Sequence, residues 1–413
     1  MNLKEYSIDL RRFDGENVNV TTDSDLSAEM RTFYSDYLID NASPKLVHDQ
    51  FGQKQPVAKN GGKTVQFRKY SPLPKATTPL TEGVTPLGRK LNVTGETAEI
   101  AQYGDYVELS DMLLLTAIDN NVVQATKLLG AQAGATLDTI VREVINGGTN
   151  VQYADDSVSA RHLLVGGKES GNNYLTVSMI KRAARKLKAM NAEKIDGAYV
   201  AIIHPDVAYD LMHDPDWVNA SEYAGSCNIF EGEIGKIAGV RFVETSEAKI
   251  FYAEPLSTNF PTLTVKNEIS SSSASIVISE AVPQAELKAL IGKPVIINSQ
   301  LCTVREVMYN ANGSSIILQS SISAVPAGTV IYSGAAGADG RAVYSTLVLG
   351  ENAYGTTEIE GGGLTHITKQ LGSAGSGDPL NQRATVGWKA TKAAKRLVEG
   401  YMVRIETTST FNG

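Results

Sequence analysis

The chain has 413 residues, of which 42% are hydrophobic and 20% charged, and its formal net charge is −7. This composition predicts globular folding in two or three domains and excludes an intrinsically disordered chain. The acidic balance argues against a protein whose main task is to wrap nucleic acid, because such proteins carry a basic surface. Only two cysteines occur, Cys227 and Cys302, so we expect a reducing compartment and no disulfide framework.

Residues 1–58 are predicted to form an N-terminal arm. They lack the apolar region of a signal peptide, and no apolar run in the chain reaches the length of a membrane span, so we expect a soluble cytoplasmic product with no membrane partner. A helix is predicted to begin near Asp25 and to end at Ser43-Pro44. Its apolar stripe would pack either on the chain's own core or on a neighbouring subunit, and consists of Met30, Phe33, Tyr34, Tyr37 and Leu38.

Residues 59–104 are predicted to form a long β-hairpin. KNGGKTVQFRKY alternates like a strand, PLPKATTPLTEGVTPLGRK is rich in proline and threonine, and KLNVTGETAEIAQYGDYVEL returns as β-structure. A two-stranded ribbon with so little to bury is marginally stable alone, which favours an element that reaches a like subunit, although a solvated mobile loop fits the same pattern. The hairpin is basic within an acidic chain, and its cationic residues are Lys59, Lys63, Arg68, Lys69, Lys75, Arg89 and Lys90.

Residues 105–175 contain the longest predicted helix, at 110–147. Its apolar residues recur at spacings of three and four from Leu113 to Ile145, with an interruption near Asp119. This pattern predicts a spine helix against which a sheet lies. Gly147 and Gly148 are predicted to end it in the left-handed conformation.

Residues 176–256 alternate between helical and strand patterns. Thr176 is predicted to cap a helix that runs to Met190, with an inward apolar face and an outward basic face. The strand GAYVAIIH, a helix that starts at Pro205 and the strand GVRFVET follow. The basic face could meet nucleic acid, but a solvated charged face is the default interpretation.

The remaining sequence predicts an inserted all-β module, after which the α/β pattern resumes. Residues 257–340 are rich in serine and glycine and predict a small all-β module, with a hairpin turn at 310–313 and helix only in ELKAL. The α/β pattern resumes in 341–382 and passes into glycine-rich loops. Residues 383–413 are predicted to contain two strands and a short helical turn at Lys392–Leu397.

No catalytic, metal-binding or cofactor-binding residue is predicted. The five histidines lack metal-ligand spacing, and His204-Pro205-Asp206 is explained as the start of a helix. Cys227 lacks the signature of a nucleophile, and the glycine-rich stretches lack the lysine of a phosphate-binding loop. We therefore expect a protein that is not an enzyme and needs no cofactor.

The order of these parts resembles the Hong Kong 97-type fold of tailed-phage capsid proteins. The segments TPLTEGVTPLGRKL, LLGAQAGATLDTIVREVINGGTNVQYA and GSAGSGDPLNQRATVGWKATKAAKRL are similar to those of the major capsid family typified by a large phage that packages a virion RNA polymerase. The resemblance implies an α+β fold with an N-arm (1–58), an extended loop (59–104), a peripheral domain with the spine helix (105–175), an axial domain (176–256 and 341–382), an inserted all-β domain (257–340) and peripheral return strands (383–413).

The resemblance also implies a function and a set of contact residues. The chain is expected to be a major capsid protein that self-assembles into pentamers and hexamers of an icosahedral shell around double-stranded DNA, and to reside in the virion after assembly in the host bacterial cytoplasm. Expected partners are other copies of the chain, a separate scaffolding protein (because the segment before the loop is short), a portal, a decoration protein, and packaged DNA contacted non-specifically. The extended-loop residues expected to contact a neighbouring subunit are Arg68, Lys69, Lys75, Glu82, Gly83, Arg89 and Lys90. The residues expected in the closing segment of the peripheral domain are Asn381, Gln382, Arg383 and Trp388.

Two functions of other classes stay open from the sequence. One is an adhesive or receptor-binding protein of a phage or cell surface that acts through the module at 257–340. The other is a nucleotide-dependent enzyme with a glycine-rich site, which the missing lysine disfavours.

Overall fold

The structure is a computed structural model in which the fold is mixed α and β, as predicted. It describes residues 46–56, 62–70, 73–80, 82–83, 85, 88–116, 121–154, 157–166, 173–224, 235–310, 313–358, 364–373 and 378–411. The helix predicted near Asp25 and its apolar stripe lie outside these residues, and so does Cys227.

The strands and helices of the described residues are numbered in chain order. The strands are β1 (Gln53–Gln55), β2 (Thr64–Tyr70), β3 (Val93–Glu99), β4 (Ala101–Ser110), β5 (Val151–Tyr153), β6 (Tyr199–Ile203), β7 (Lys236–Ile237), β8 (Val240–Glu244), β9 (Ile250–Phe251), β10 (Leu263–Thr264), β11 (Ser273–Val277), β12 (Pro294–Ile297), β13 (Gln300–Met308), β14 (Ser315–Ile322), β15 (Val330–Ser333), β16 (Val343–Leu349), β17 (Tyr354–Thr357), β18 (Leu364–Lys369), β19 (Arg383–Lys392), β20 (Ala394–Arg396) and β21 (Met402–Thr407). The α-helices are α1 (Asp111–Thr116), α2 (Asn121–Asn146), α3 (Val177–Ala189), α4 (Pro205–Met212), α5 (Pro215–Ala224) and α6 (Gln284–Lys288), and short 3-10 turns occur at Arg161–Leu163, Ala338–Gly340 and Glu399–Tyr401.

The chain divides into two compact units. The smaller unit comprises Met1–Leu46, Ala101–Thr136 and Ile359–Lys392, and the larger unit comprises Val47–Ile100, Leu137–Glu358 and Ala393–Gly413. The long helix α2 begins in the smaller unit and ends in the larger one. Within the described residues, no helix is long and apolar enough to cross a membrane.

The main sheet of the larger unit has the strand order β5-β21-β16-β6-β8-β7, and β9 also pairs with β16. The two central strands, β6 and β16, are buried at every residue, which explains why the sequence of β6 is an uninterrupted apolar run. Helix α3 buries Ile180, Ala183 and Leu187 in the same core as Ile203 and Val343. The predicted helix and strand of this region are therefore confirmed.

Different side chains accept hydrogen bonds from the free backbone N–H groups at the starts of α3 and α4. The backbone N–H of Val177 donates to Oδ2 of Asp214 at 2.9 Å, whereas Thr176, which was predicted to cap α3, makes no side-chain capping bond. At α4, the N–H of Asp206 donates to Nδ1 of His204 at 3.2 Å, so the prediction that this histidine belongs to a helix start is confirmed. An aspartate from the turn between α4 and α5 replaces the local cap that the sequence suggested for α3.

The end of α2 also differs from the prediction. Neither Gly147 nor Gly148 has a positive φ, so the predicted left-handed termination is wrong. The guanidinium of Arg404 instead donates Nη1–H bonds to the carbonyls of Asn146 and Gly148, the second at 3.0 Å. A cation near the last carbonyls of a helix also complements the helix dipole.

Met190, the last residue of the predicted helix, was predicted to belong to its inward apolar face. It is exposed just after α3, so this part of the prediction is wrong.

The inserted module is a six-stranded antiparallel barrel with its own core. Its strand order is β10-β15-β12-β13-β14-β11, and a bridge between Val265 and Ile278 joins the two edge strands. The core includes Val295, Leu318 and Ile331. The predicted hairpin at 310–313 is confirmed by the pairing of β13 with β14, and the helix predicted in ELKAL is α6.

A further three-stranded sheet, β1-β17-β20, was not predicted. Strand β1 lies in the segment assigned to the arm, and β17 lies in the region assigned to α/β material and glycine-rich loops. The helical turn predicted at Lys392–Leu397 is wrong, because β20 pairs with β17 there, with Ala394 opposite Thr356. Tertiary pairing with a distant strand overrides the local helical preference of this segment.

Candidate assembly surfaces

Strands β2 and β3 form a two-stranded ribbon, which confirms the predicted hairpin. Their antiparallel register pairs Thr64 with Glu99 at one end and Tyr70 with Val93 at the other. The expectation that the ribbon has little to bury is wrong at its base, where Phe67 is only 1% exposed. Val65 and Ala98 are also buried there and pack with Ala393. The base of the ribbon is therefore anchored in the larger unit.

The ribbon residues predicted from the sequence lie beyond this base. Arg68 and Lys69 lie in β2 opposite Gly95 and Thr94. The others are exposed and outside the strands: Lys75, Glu82, Gly83, Arg89 and Lys90. Gly83 adopts φ +76°, a conformation that favours glycine, in the turn with Glu82. Among the described residues, none of the charged side chains in this set has a hydrogen bond or ion pair.

Large apolar side chains share the exposed part of the ribbon with these charges. Leu80 is 77% exposed, and Leu73, Leu91 and Val93 are at least half exposed. Several exposed large apolar side chains along one ribbon favour a site of protein contact. The sequence contains this signal, since leucines recur in the proline-rich segment, but the predicted contact residues are six charged residues and Gly83 and include no leucine.

The smaller unit contains the sheet β18-β19-β4. Trp388 in β19 is buried opposite Asp105 in β4, and its Nε1–H donates to Oε1 of Gln132 at 3.2 Å. The Gln132 amide in turn donates to Oδ2 of Asp105 at 2.7 Å. These bonds tie the sheet to helix α2. The pKa of Asp105 is lowered by the Gln132 amide and, to a smaller extent, by the N–H of Tyr106.

The closing segment before β19 forms a turn held by a carboxylate. Asn381 has φ +54°, and its N–H donates to the carbonyl of Asp378 at 3.1 Å. Oδ2 of Asp378 accepts the N–H of Arg383 at 2.8 Å, and the carbonyl of Gln382 accepts the N–H of Asp111 at 3.0 Å. Three of the four predicted residues of this segment, Asn381, Gln382 and Arg383, thus lie together at the start of β19, whereas Trp388 lies in the middle of that strand and bonds to Gln132.

A groove of about 740 Å³ runs over this sheet in the smaller unit. It is lined mainly by β4 and β19, and it includes the exposed side chains Tyr106 and Ile367. Its lining carries both signs of charge, for example Glu108 and Arg383. An open groove whose lining is mostly apolar and also includes charged side chains has the features of a protein-binding surface.

A buried polar cluster of the larger unit was not predicted. Oδ1 of Asp138 accepts the N–H groups of His48 at 2.7 Å and Asp49 at 3.3 Å, and Oδ2 lies 2.6 Å from Nδ1 of His48. The hydroxyl of Tyr354 donates to the carbonyl of His48, and burial raises the pKa of this tyrosine, with the charges of Asp49 and Asp138 adding to the effect. His48 and Asp138 are 90 residues apart, so no local pattern could have paired them. The cluster fastens residues 47–49 to the second part of α2.

The comparisons with known proteins agree with this geometry. A family model described as phage capsid protein matches residues 95–270. Among solved structures, the capsid of cyanophage Pam1 is similar over 98% of this chain and 97% of its own, with 13% sequence identity and a TM-score of 0.51.

The chain has the Hong Kong 97-type capsid fold. The capsid of cyanophage P-SCSP1u (12% identity, 87% of each chain, TM-score 0.48) and that of Ralstonia phage GP4 (13% identity, 87% of this chain and 86% of that chain, TM-score 0.47) are also similar. No curated protein matches the sequence.

The fold predicted from the sequence is therefore confirmed, and the family-model match agrees with the predicted function of a major capsid protein. Among the described residues, no cluster of three or more histidine, cysteine, aspartate or glutamate side chains could hold a metal ion.

Proposed function

We propose that the protein is the major capsid protein of a tailed phage, which forms pentamers and hexamers of an icosahedral shell around double-stranded DNA. It acts by assembly and not by catalysis, and it resides in the virion after assembly in the cytoplasm of a bacterial host. The observation that carries the proposal is the ribbon of residues 62–100, anchored at Phe67 and exposed at Leu80. An element built in this way gains its remaining contacts from another molecule.

The energetics of the ribbon support a reaching role. Complete burial of a leucine side chain contributes about 1.5–3 kcal/mol, so burial of Leu73, Leu80 and Leu91 on a neighbour would add several kcal/mol per subunit. Individual contacts of this size are reversible. Repeated around every ring of a closed shell, they make dissociation of one subunit depend on breaking many contacts together. We propose the groove over β4 and β19 of a neighbouring subunit as the surface that receives the ribbon.

Further partners and domain roles follow from the resemblance. We propose that a separate scaffolding protein, a portal and a decoration protein take part in assembly, and that the packaged DNA is contacted without sequence preference. The family typified by the large phage with a virion RNA polymerase is the proposed relative, supported by the three similar segments given above. The barrel is proposed to lie on the outer surface or between capsomers, and the domain boundaries given above are kept as proposals.

Electron microscopy of the purified protein, alone and with co-expressed phage head proteins, tests the function directly. Shells or capsomer rings are expected. A protein that stays monomeric under every condition would contradict the proposal.

A deletion of residues 75–90 tests the ribbon. The deletion lies between β2 and β3, so the base cluster around Phe67 should survive, and the expected product is a folded subunit that does not form particles. Folding is checked by circular dichroism, and normal particles from this variant would refute the role of the ribbon. Two matched variants separate charge from apolar contact: Lys75→Gln with Arg89→Gln, and Leu73→Ser with Leu80→Ser. We expect the leucine variant to lose more assembly, because exposed charges contribute little when they pair at a surface.

A further inference from the structure

Helix α3 carries a concentrated positive charge that the proposed function has not used. Five of its 13 residues are basic and none is acidic, in a chain of net charge −7. The opposite face is fully committed to the core of the larger unit, through residues that include Ile180, Ala183 and Leu187. The basic residues are Lys181, Arg182, Arg185, Lys186 and Lys188.

The charges near the start of α3 already have partners. Nζ of Lys181 lies 2.8 Å from Oδ2 of Asp216, and Nη2 of Arg182 donates to the carbonyl of Tyr153 at 3.0 Å. Arg185 and Lys188 are exposed, and neither side chain has an ion pair or hydrogen bond within the described part of the chain. The uncompensated charge therefore lies in the second half of the helix.

A groove of about 400 Å³ runs beside this half of the helix. Arg185 and Lys186 contribute to its lining, together with Glu399. The carboxylate of Glu399 is already engaged, since it accepts the N–H of Thr149 and lies 3.7 Å from Nε of Arg396. The lining thus offers Arg185 to an incoming anion, beside one carboxylate whose charge is balanced within the protein.

We infer that the exposed basic face of α3 binds the phosphate backbone of the DNA that the shell encloses, an inference that rests on the proposed capsid function. Residues three and four apart lie on one face of a helix, so Lys181, Arg185 and Lys188 form a row of roughly 10 Å. Duplex DNA presents about six phosphates over that distance. We expect this contact to be independent of sequence, because contacts to phosphate oxygens carry no sequence information directly.

The test measures binding of the full chain to a short fluorescent DNA duplex of arbitrary sequence, by anisotropy over a range of salt concentrations. The variant Arg185→Gln with Lys188→Gln is compared with Lys288→Gln with Lys293→Gln, which removes the same charge from the barrel. If both α3 residues contact phosphates, the slope of log K against log salt should fall by about 1.8, and binding at 0.1 M salt should weaken roughly 60-fold. The barrel variant should bind as the unmodified chain does.

An equal loss in both variants, or no loss in either, overturns the inference. Displacement of the DNA by polyglutamate at the same charge concentration also overturns it, because the face would then suit an acidic polypeptide. Electron microscopy of the same samples distinguishes a failure of the proposed capsid function from a failure of the proposed DNA binding by α3. Intact particles with selective loss of DNA binding support the inference, whereas an unmodified chain that never assembles refutes the capsid function and leaves the binding comparison to decide the role of the face.

Discussion

Replacing Asp138 by alanine should release the segment around His48 from helix α2. In the folded chain the Asp138 carboxylate is buried, and it accepts two backbone N–H groups and faces the imidazole Nδ1 at 2.6 Å. The ring nitrogen Nε2 of His48 has no hydrogen-bond partner among the described residues, so the ring depends on Asp138 for its polar contact. Alanine leaves these donors buried without an acceptor.

The magnitude follows from the cost of breaking a buried ionisable pair. Removal of one partner costs about 3–5 kcal/mol, because the other partner stays buried and unpaired. Since every 1.4 kcal/mol is a factor of ten, local opening of this segment should become roughly 150- to 4,000-fold more frequent. Asp138→Asn keeps an oxygen that can accept the N–H of His48, so its effect should be smaller.

Hydrogen exchange of the backbone amides at 46–56, followed by mass spectrometry, measures this opening. The control is Gln50→Ala, which removes an exposed side chain of the same segment and should change exchange by no more than about threefold. If Asp138→Ala changes exchange in this segment by less than tenfold, or no more than the control does, the pair does not fasten the segment to the helix.

Three further variants test the ribbon and the sheet of the smaller unit. Phe67→Ala should cost about 3–5 kcal/mol and speed hydrogen exchange at 64–99, because it empties the base cluster; unchanged exchange would contradict the anchoring. Gly387→Ala should destabilise the sheet by about 1–3 kcal/mol, since the added methyl carbon would lie 2.7 Å from Cβ of Tyr106; an unchanged melting temperature would show that the strands can separate without cost. Gln132→Leu should raise the pKa of Asp105 towards its ordinary value near 3.8, as followed by carboxyl NMR titration. Because the folded pKa is lowered, this contribution to stability is present above that ordinary value and is lost as the pH falls through the lowered pKa, and an identical titration in the variant would exclude the amide as the cause.

The parts of the fold that local pattern determines were predictable. The apolar run of β6 and the periodic apolar face of α2 are patterns of residues that are neighbours in sequence. Each element occurs where its pattern predicts it. The closure of the barrel and the strand β17 were not predictable in this way, because each depends on a partner strand far along the chain. The end of α2 shows the same limit, since the group that satisfies its carbonyls is Arg404 and not the adjacent glycines.

The composition of the candidate surfaces was predictable from the sequence, but the side-chain contacts that build them were not. The charged ribbon residues other than the half-buried Lys69 are exposed, as a basic proline-rich segment suggests. Phe67 could not be recognised as an anchor without the neighbouring strands. Gln132 is a single polar residue among alanines and glycines of α2, and its bonds to Trp388 and Asp105 arise only when β4 and β19 pair. Side chains that join distant segments carry no periodic signal.

The ribbon carries both exposed leucines and cations, and these two kinds of side chain have opposite effects on the association of one ribbon with another. Exposed leucines such as Leu80 would favour pairing between two ribbons, and an unpaired strand edge adds to that hazard. Ribbons that carry the same positive charges, at Lys75, Arg89 and Lys90, repel each other before their leucines meet. A surface with both signs of charge, such as the groove lined by Glu108 and Arg383, imposes no such repulsion. In the proposed assembly, the charges would therefore select the kind of surface that the ribbon contacts, and the leucines would supply most of the free energy of the contact.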